Sequence, residues 1–282
     1  MAKLRNDVFQ FATLQTSRHN SFFVRKTNDV ILCMFPKSGS TWLSECIYLI
    51  VNQYKYELAS EESIEFRFPQ IDSPSHDVFD LILKRYNDSN QRRLIKSSVP
   101  PNLLIERADL DVTKPKVISI FRNPRDVLVS FYHHCKTVKH YDIGFSFDDF
   151  FETFLRGQVP CGPIWKMYND MFKYHRANPG STMVVYYEDM KQDLRAQLRK
   201  VCLGLRNSNG FEFVRKGQVN DWKNFFNDEQ SIRFDREITD KLLPELKARY
   251  GHVNKFLSII TFYFYKIRVS SFFLIRTLQN SH

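Results

Sequence analysis

Phe35-Pro36-Lys37-Ser38-Gly39-Ser40-Thr41-Trp42 stands where an apolar run stops and a helical pattern begins. Before it, Val30-Ile31-Leu32-Cys33-Met34-Phe35 is short, apolar and flanked by charge, which is the pattern of a buried strand; after it, Leu43 to Val51 recurs apolar at helical spacing. A small-residue turn therefore opens a helix. The first N–H groups of that helix lack partners within it and its dipole is positive, so an anion can dock there. Gly39 lets a backbone approach closely, Ser40 and Thr41 supply hydroxyls, and Lys37 supplies a mobile point charge. A triphosphate-binding loop needs two glycines in the order G-x-x-x-x-G-K-[ST], whereas this turn has one glycine with its lysine in front, which argues against an ATPase or a P-loop kinase. Taken alone, the octapeptide leaves an ordinary strand-to-helix turn open as the plain alternative.

Further strands and helices follow in alternation. Arg93 to Ser97 reads as a brief strand leading into Pro100-Pro101, which break regular structure. Val117-Ile118-Ser119-Ile120-Phe121 is the cleanest strand, and the helix expected from Arg125 to His134 has Pro124 near its first turn. Thr182 to Tyr187 is a further strand, followed by Glu188-Asp189-Met190 and a helix expected from about Gln192 to Leu203, which makes a third strand-and-helix unit. Strand then helix, repeated, predicts an α/β fold with a central parallel sheet flanked by helices. Ligands of such sheets collect at the carboxyl ends of the strands, which is where both Lys37 to Trp42 and Arg122 fall. Phe147 to Leu155 and Trp165 to His175 have helical apolar spacing and read as core packing, and a short helix is expected around Val78 to Arg85.

At 282 residues the chain is long enough for one large domain. Its 15% aromatic content, with 26 Phe, argues against disorder over most of its length. The 41 Lys and Arg against 31 Asp and Glu give a net charge of +10, which suits an anionic ligand, a nucleic acid or an acidic membrane surface equally well. No zinc-finger, basic-zipper or RNA-binding signature is present, so a nucleic-acid partner is not expected. Cys33, Cys46, Cys135, Cys161 and Cys202 are odd in number and scattered, which fits a reduced, cytoplasmic setting and no metal site. Met1 to Thr13 carries charge and no long apolar core, so neither a signal peptide nor an anchor is expected.

Four blocks in order resemble the cytosolic sulfotransferase family, and together they cover about Asp29 to Asp240. The opening octapeptide is similar to that family's 5'-phosphosulfate loop, Y-P-K-S-G-T-T-W. The others are Leu94 to Pro100, Phe121 to Ser130, and Arg215-Lys216-Gly217 running into Asp221 to Asn224. The resemblance implies transfer of a sulfuryl group from 3'-phosphoadenosine 5'-phosphosulfate to a hydroxyl or amine of a small acceptor, without a metal. It implies Lys37 at the leaving oxygen, Ser38, Gly39, Ser40 and Thr41 around the 5' side, Trp42 stacked on adenine, and Lys96 on the transferring group. Arg122 and Ser130 with Arg215, Lys216 and Gly217 would hold the 3'-phosphate, and Tyr187 would lie near the nucleotide. Phenols, alcohols, steroids and amines all remain open as acceptors.

The chain also departs from the pattern. The family's K-T-H-L-P, whose histidine removes the acceptor's proton, reads here Lys96-Ser97-Ser98-Val99-Pro100. Serine is no base near neutral pH, and loss of a general base costs on the order of a hundred- to ten-thousand-fold in rate. The alternative is therefore a catalytically impaired protein that binds the nucleotide, with Ser98 as its mark. His133, His134 and His140 are the histidines that could stand in. The expected organisation is a polar leader over 1–28, a sulfotransferase domain over 29–255 that is shortened between about 204 and 214, and an atypical apolar and basic tail over 256–282. That tail reads as a buried strand, an interfacial membrane helix or a non-native end. Asn227-Asp228 and Ile232 replace the Thr-Val and Glu of the family's dimer motif, which puts a homodimer in doubt.

Overall fold

The computed structural model describes residues 29–72, 92–105, 115–137, 146–205 and 221–251. Four strands carry the fold: β1 (Val30–Met34), β2 (Leu94–Ser97), β3 (Lys116–Phe121) and β4 (Thr182–Tyr186), all parallel in the order β2-β1-β3-β4. Helix α1 (Ser40–Val51) follows β1, with α2 (Tyr56–Glu61) and α3 (Ile64–Arg67) behind it and α4 (Pro101–Ile105) after β2. Next come α5 (Pro124–Thr137), α6 (Phe147–Leu155) and α7 (Ile164–Ala177). After β4 lie α8 (Tyr187–Gln192) and α9 (Leu194–Leu205), then α10 (Asp228–Glu237) and α11 (Pro244–Tyr250). The expected α/β architecture is observed, and the strand order reverses between β1 and β3, where ligand crevices form in such sheets.

Continuous apolar strands need cover on both faces. Val30, Leu32 and Met34 face Leu43, Ile47 and Ile50 of α1 and Leu194, Leu198 and Val201 of α9. Ile31, Cys33 and Phe35 face the opposite layer, built by α5, α6, α7 and the segment from Trp222 to Tyr250. Burying each such Leu, Ile or Phe stabilises the fold by about 1.5–3 kcal/mol. Phe35 lies at the seam, edge-on to Phe131 and Phe154 at 6.2 and 6.1 Å, so the octapeptide is anchored in core at its first residue.

Some boundaries differ from the expectation for identifiable reasons. Strand β2 starts at Leu94; Arg93 just before it still accepts the Val30 N–H at 2.9 Å, and its side chain makes a bidentate pair with Asp29, at 2.8 and 2.5 Å, both side chains wholly buried. Strand β4 ends at Tyr186, since Tyr187 already opens α8. The helix expected from about Gln192 to Leu203 is α9, and the residues before it form a further short helix, α8; the two break at Asp193, whose carboxylate accepts a bond from Ala196 N–H at 2.9 Å and so caps α9. Asn227, the departure from the dimer motif, caps α10 in a reciprocal box with Gln230, at 2.8 and 3.0 Å. All five cysteines are free. The expected helix near Val78 to Arg85, His140, Arg215 to Gly217 and the tail lie outside the described residues.

Candidate active site

The octapeptide forms a tight turn from the carboxyl end of β1 into α1. Ser38 N–H closes it on the Phe35 carbonyl at 3.2 Å, and Leu43 N–H makes the first helical bond to the Gly39 carbonyl at 3.1 Å. Gly39 is the residue before the helix and supplies no side-chain cap, so the N–H groups of Ser40, Thr41 and Trp42 point out of an uncapped amino terminus. Its φ is 102°, and a Cβ there would stand 2.6 Å from Tyr187 Cδ2; only glycine fits. Lys37 also has a left-handed backbone, φ 69°, which is costly for a residue with a side chain and is held by its surroundings.

Arg122 and Tyr168 do the holding. Arg122, just past β3, donates from its guanidinium to the Lys37 carbonyl at 3.1 Å. The Tyr168 hydroxyl, buried on α7, donates to the Arg122 carbonyl at 2.8 Å, accepts the Arg122 N–H at 3.1 Å and lies 3.2 Å from Ser38 Oγ. One phenol thus locks the β1 and β3 loops together. Its burial raises its pKa, so it stays protonated and able to donate. Glu188 supports the same loop by accepting Asn123 N–H at 2.7 Å.

The guanidinium of Arg122 lies 4.5 Å over the Tyr187 ring. Trp42 meets Tyr187 edge-on at 5.8 Å, and Lys191 Nζ sits 4.3 Å over Trp42. Burial and then Arg122 lower the pKa of Lys37, and the same two causes lower that of Lys191. Like charges have been gathered at one turn, an arrangement that an anion relieves. Arg122 Nε is buried and has no partner among the described residues. Ser130 lies half-buried on α5, one turn before His134 on the same side, and His134 is near enough to Lys37 for that charge, after burial, to lower its pKa. His133 packs against Phe225 at 5.2 Å and Tyr132 at 5.4 Å, a structural place.

On the other side of β1, Lys96 is buried, and burial lowers its pKa against the opposing pull of Glu65, Asp72 and Glu45. Pro69 to Ile71 runs along the free edge of β2, with Lys96 N–H bonded to the Pro69 carbonyl at 2.9 Å and Ile71 N–H to the Lys96 carbonyl at 3.0 Å. Gln70 pairs with Lys96, so Asp72 arrives beside Ser98. The Asp72 carboxylate accepts Ser98 N–H at 2.9 Å and the Ser98 hydroxyl, while Gln70 Nε2 donates to Ser98 Oγ at 3.3 Å. Burial raises the pKa of Asp72 in spite of those hydrogen bonds.

The expected residues Lys37 to Trp42, Arg122 and Tyr187 therefore meet in one place, Ser130 lies on α5 one turn before His134, and Lys96 and Ser98 occupy the neighbouring strand end. The sequence reading missed Tyr168, Lys191 and Asp72.

A family model described as a sulfotransferase domain matches residues 27–206. The chain belongs to the sulfotransferase family. Sulfotransferase 2A6 of Rattus norvegicus is 31% identical over 255 residues, covering 78% of this chain and 86% of that protein. Sulfotransferase 1E1 of Mus musculus is 28% identical over 258 residues, covering 78% and 85%. Among solved structures, retinol dehydratase in complex with retinol and PAP superimposes with a TM-score of 0.64 at 20% identity, over 83% of this chain and 86% of that one. Mouse sulfotransferase SULT7A1 complexed with PAP gives 0.62 at 22% identity, over 81% and 90%. These two likenesses show that the sulfotransferase fold is shared. Among the described residues no helix is long and apolar enough to cross a membrane, and no group of His, Cys, Asp and Glu could hold a metal.

Proposed function

We propose that this sulfotransferase moves a sulfuryl group from 3'-phosphoadenosine 5'-phosphosulfate to a hydroxyl or amine of a small acceptor. The observation that carries the reading is the meeting of Lys37, Arg122 and Lys191 at the uncapped amino terminus of α1, beside the rings of Trp42 and Tyr187. The residues fit an anionic nucleotide: Gly39 leaves space that a Cβ would close, and Arg122 Nε has a bond to give. Ser38 to Thr41 would receive the 5' end and Trp42 the adenine. Arg122 and Ser130, with Arg215, Lys216 and Gly217, would receive the 3'-phosphate. When bound, the donor supplies an activated sulfur with a phosphate leaving group. Lys37 then neutralises the charge that develops on the leaving oxygen, and Lys96 holds the transferring group. The structures with PAP bound are of proteins sharing this fold, which supports the choice of donor.

Calorimetry tests the reading. Adenosine 3',5'-bisphosphate is expected to bind more tightly than adenosine 5'-monophosphate, and Lys37→Ala to weaken it about ten- to hundredfold, the worth of a charged hydrogen bond. Equal affinities for the two nucleotides would remove the 3'-phosphate assignment; an unaffected Lys37→Ala would remove the 5' one.

A further inference from the structure

Transfer to a hydroxyl needs somewhere for the acceptor's proton to go, and Ser98 alone cannot take it. What surrounds Ser98 can. Register pairs Ser97, the last residue of β2, with Cys33, so Ser98 leaves the sheet at the same carboxyl end from which β1 runs on through Met34 into the Lys37 turn. Its hydroxyl has one proton and two lone pairs. The proton is given to Asp72, and one lone pair receives the Gln70 amide at 3.3 Å. That leaves the second lone pair for an acceptor's hydroxyl; the Cys161 sulfur also lies within reach of Ser98, as an acceptor from its hydroxyl. The second oxygen of Asp72, Oδ1, is buried and has no partner among the described residues, so the carboxylate retains unused acceptor capacity.

We propose that Ser98 and Asp72 form a proton relay that replaces a histidine base, which makes this chain a competent transferase for hydroxyl acceptors rather than an impaired one. The inference rests on the sulfuryl-transfer reading above. As the acceptor oxygen bonds to sulfur, its O–H bond breaks and the proton passes to Ser98 Oγ, while the Ser98 proton passes to Asp72 Oδ2. The sulfur–oxygen bond of the phosphosulfate donor breaks at the same time, and its electron pair leaves with the phosphate oxygen held by Lys37. Asp72 ends protonated and the serine hydroxyl is restored. Asp72 faces Ser98 and Lys96 from β2 and its end, Cys33 from β1, Cys161 from the loop before α7, and Gln70 from its own segment. Burial pushes the Cys161 thiol up to about 12 and raises that of Cys33 as well, so neither thiol competes for the proton near neutral pH. Lys96 is a donor, which leaves the carboxylate as the base of the group.

The test is kcat/KM from about pH 5 to 9 with octanol and with a naphthol as acceptors, for the full chain and for Asp72→Asn, Ser98→Ala and Ser98→Thr, alongside bisphosphate calorimetry. For octanol the natural chain should show one acidic limb set above the usual carboxylate range. Asp72→Asn should abolish that limb and lower the plateau about a hundred- to ten-thousand-fold. The more acidic naphthol should lose far less, and bisphosphate affinity should not change. Ser98→Ala should fall similarly and Ser98→Thr, which keeps a hydroxyl, should recover most of the rate; this pair carries the test if Asp72→Asn does not fold. A limb that survives Asp72→Asn, or one that His134→Gln abolishes instead, overturns the relay. So does a natural chain with no turnover on either acceptor; bisphosphate binding then shows whether the donor reading stands without it.

Discussion

Two aspartates bracket the β1–β2 pair and differ in how their charge is met. Asp29, at the amino end, is wholly buried and gripped through both oxygens by Arg93. Asp72, at the carboxyl end, receives a hydroxyl and a backbone N–H on one oxygen, and its other oxygen is buried with no hydrogen-bond partner among the described residues. A charge that is fully met holds strands together and has nothing left to offer. A charge met only in part costs stability where it stands and keeps the capacity to accept a proton. The sheet thus divides along its own axis, with structure at one end of the strands and chemistry at the other.

The largest expected effect falls on the paired end. Arg93→Ala strands a buried carboxylate and should cost about 3–5 kcal/mol in denaturant unfolding, whereas replacing Asp29 and Arg93 together by apolar residues of similar volume should cost far less. Equal losses from the single and double changes would mean that burial of the arginine stem, and not charge compensation, holds that corner. Asp72→Asn should behave in the opposite way, with unfolding stability at neutral pH no more than about 1 kcal/mol below that of the natural chain. A loss as large as that from Arg93→Ala would erase the contrast between the two sites.

A smaller effect separates the two sites by pH. The pKa of Asp72 is raised on folding, so between its unfolded and folded values the native state binds the more protons. Its contribution to stability is present below the unfolded value and is lost as pH rises through the folded one. Thermal melts across that range should therefore slope downward for the natural chain and less steeply for Asp72→Asn. The remaining slope has a source in Glu188, whose pKa burial also raises. An unchanged slope would mean that Asp72 is ionised in the native state throughout the range.

The same division explains what could be read from the sequence. The turn from Lys37 to Trp42 is contiguous, its strand and helix have clear periods, and its one glycine is demanded by a φ of 102°. The strands of the parallel sheet were legible for the same reason, being apolar runs between charges. Asp72 was not legible, because its bond to Ser98 spans 26 positions and depends on one backbone bridge between Gln70 and Lys96. Tyr168 reads as core from its helical spacing, and it is core; only its hydroxyl belongs to the site, 46 positions from Arg122. Arg215 to Gly217 were read from pattern alone and remain a proposal.

The strap from Pro69 to Ile71 has a consequence unrelated to catalysis. Strand β2 is one of the two outer strands of the sheet, and an outer strand offers its unpaired N–H and C=O groups to any other extended chain. Here the Lys96 N–H and C=O are already taken by Pro69 and Ile71. The proline has no N–H to offer a further strand in turn. The peptide that delivers a carboxylate to Ser98 is therefore also a guard against edge-to-edge aggregation, and a shortened version of this protein lacking it would put solubility at risk as well as turnover.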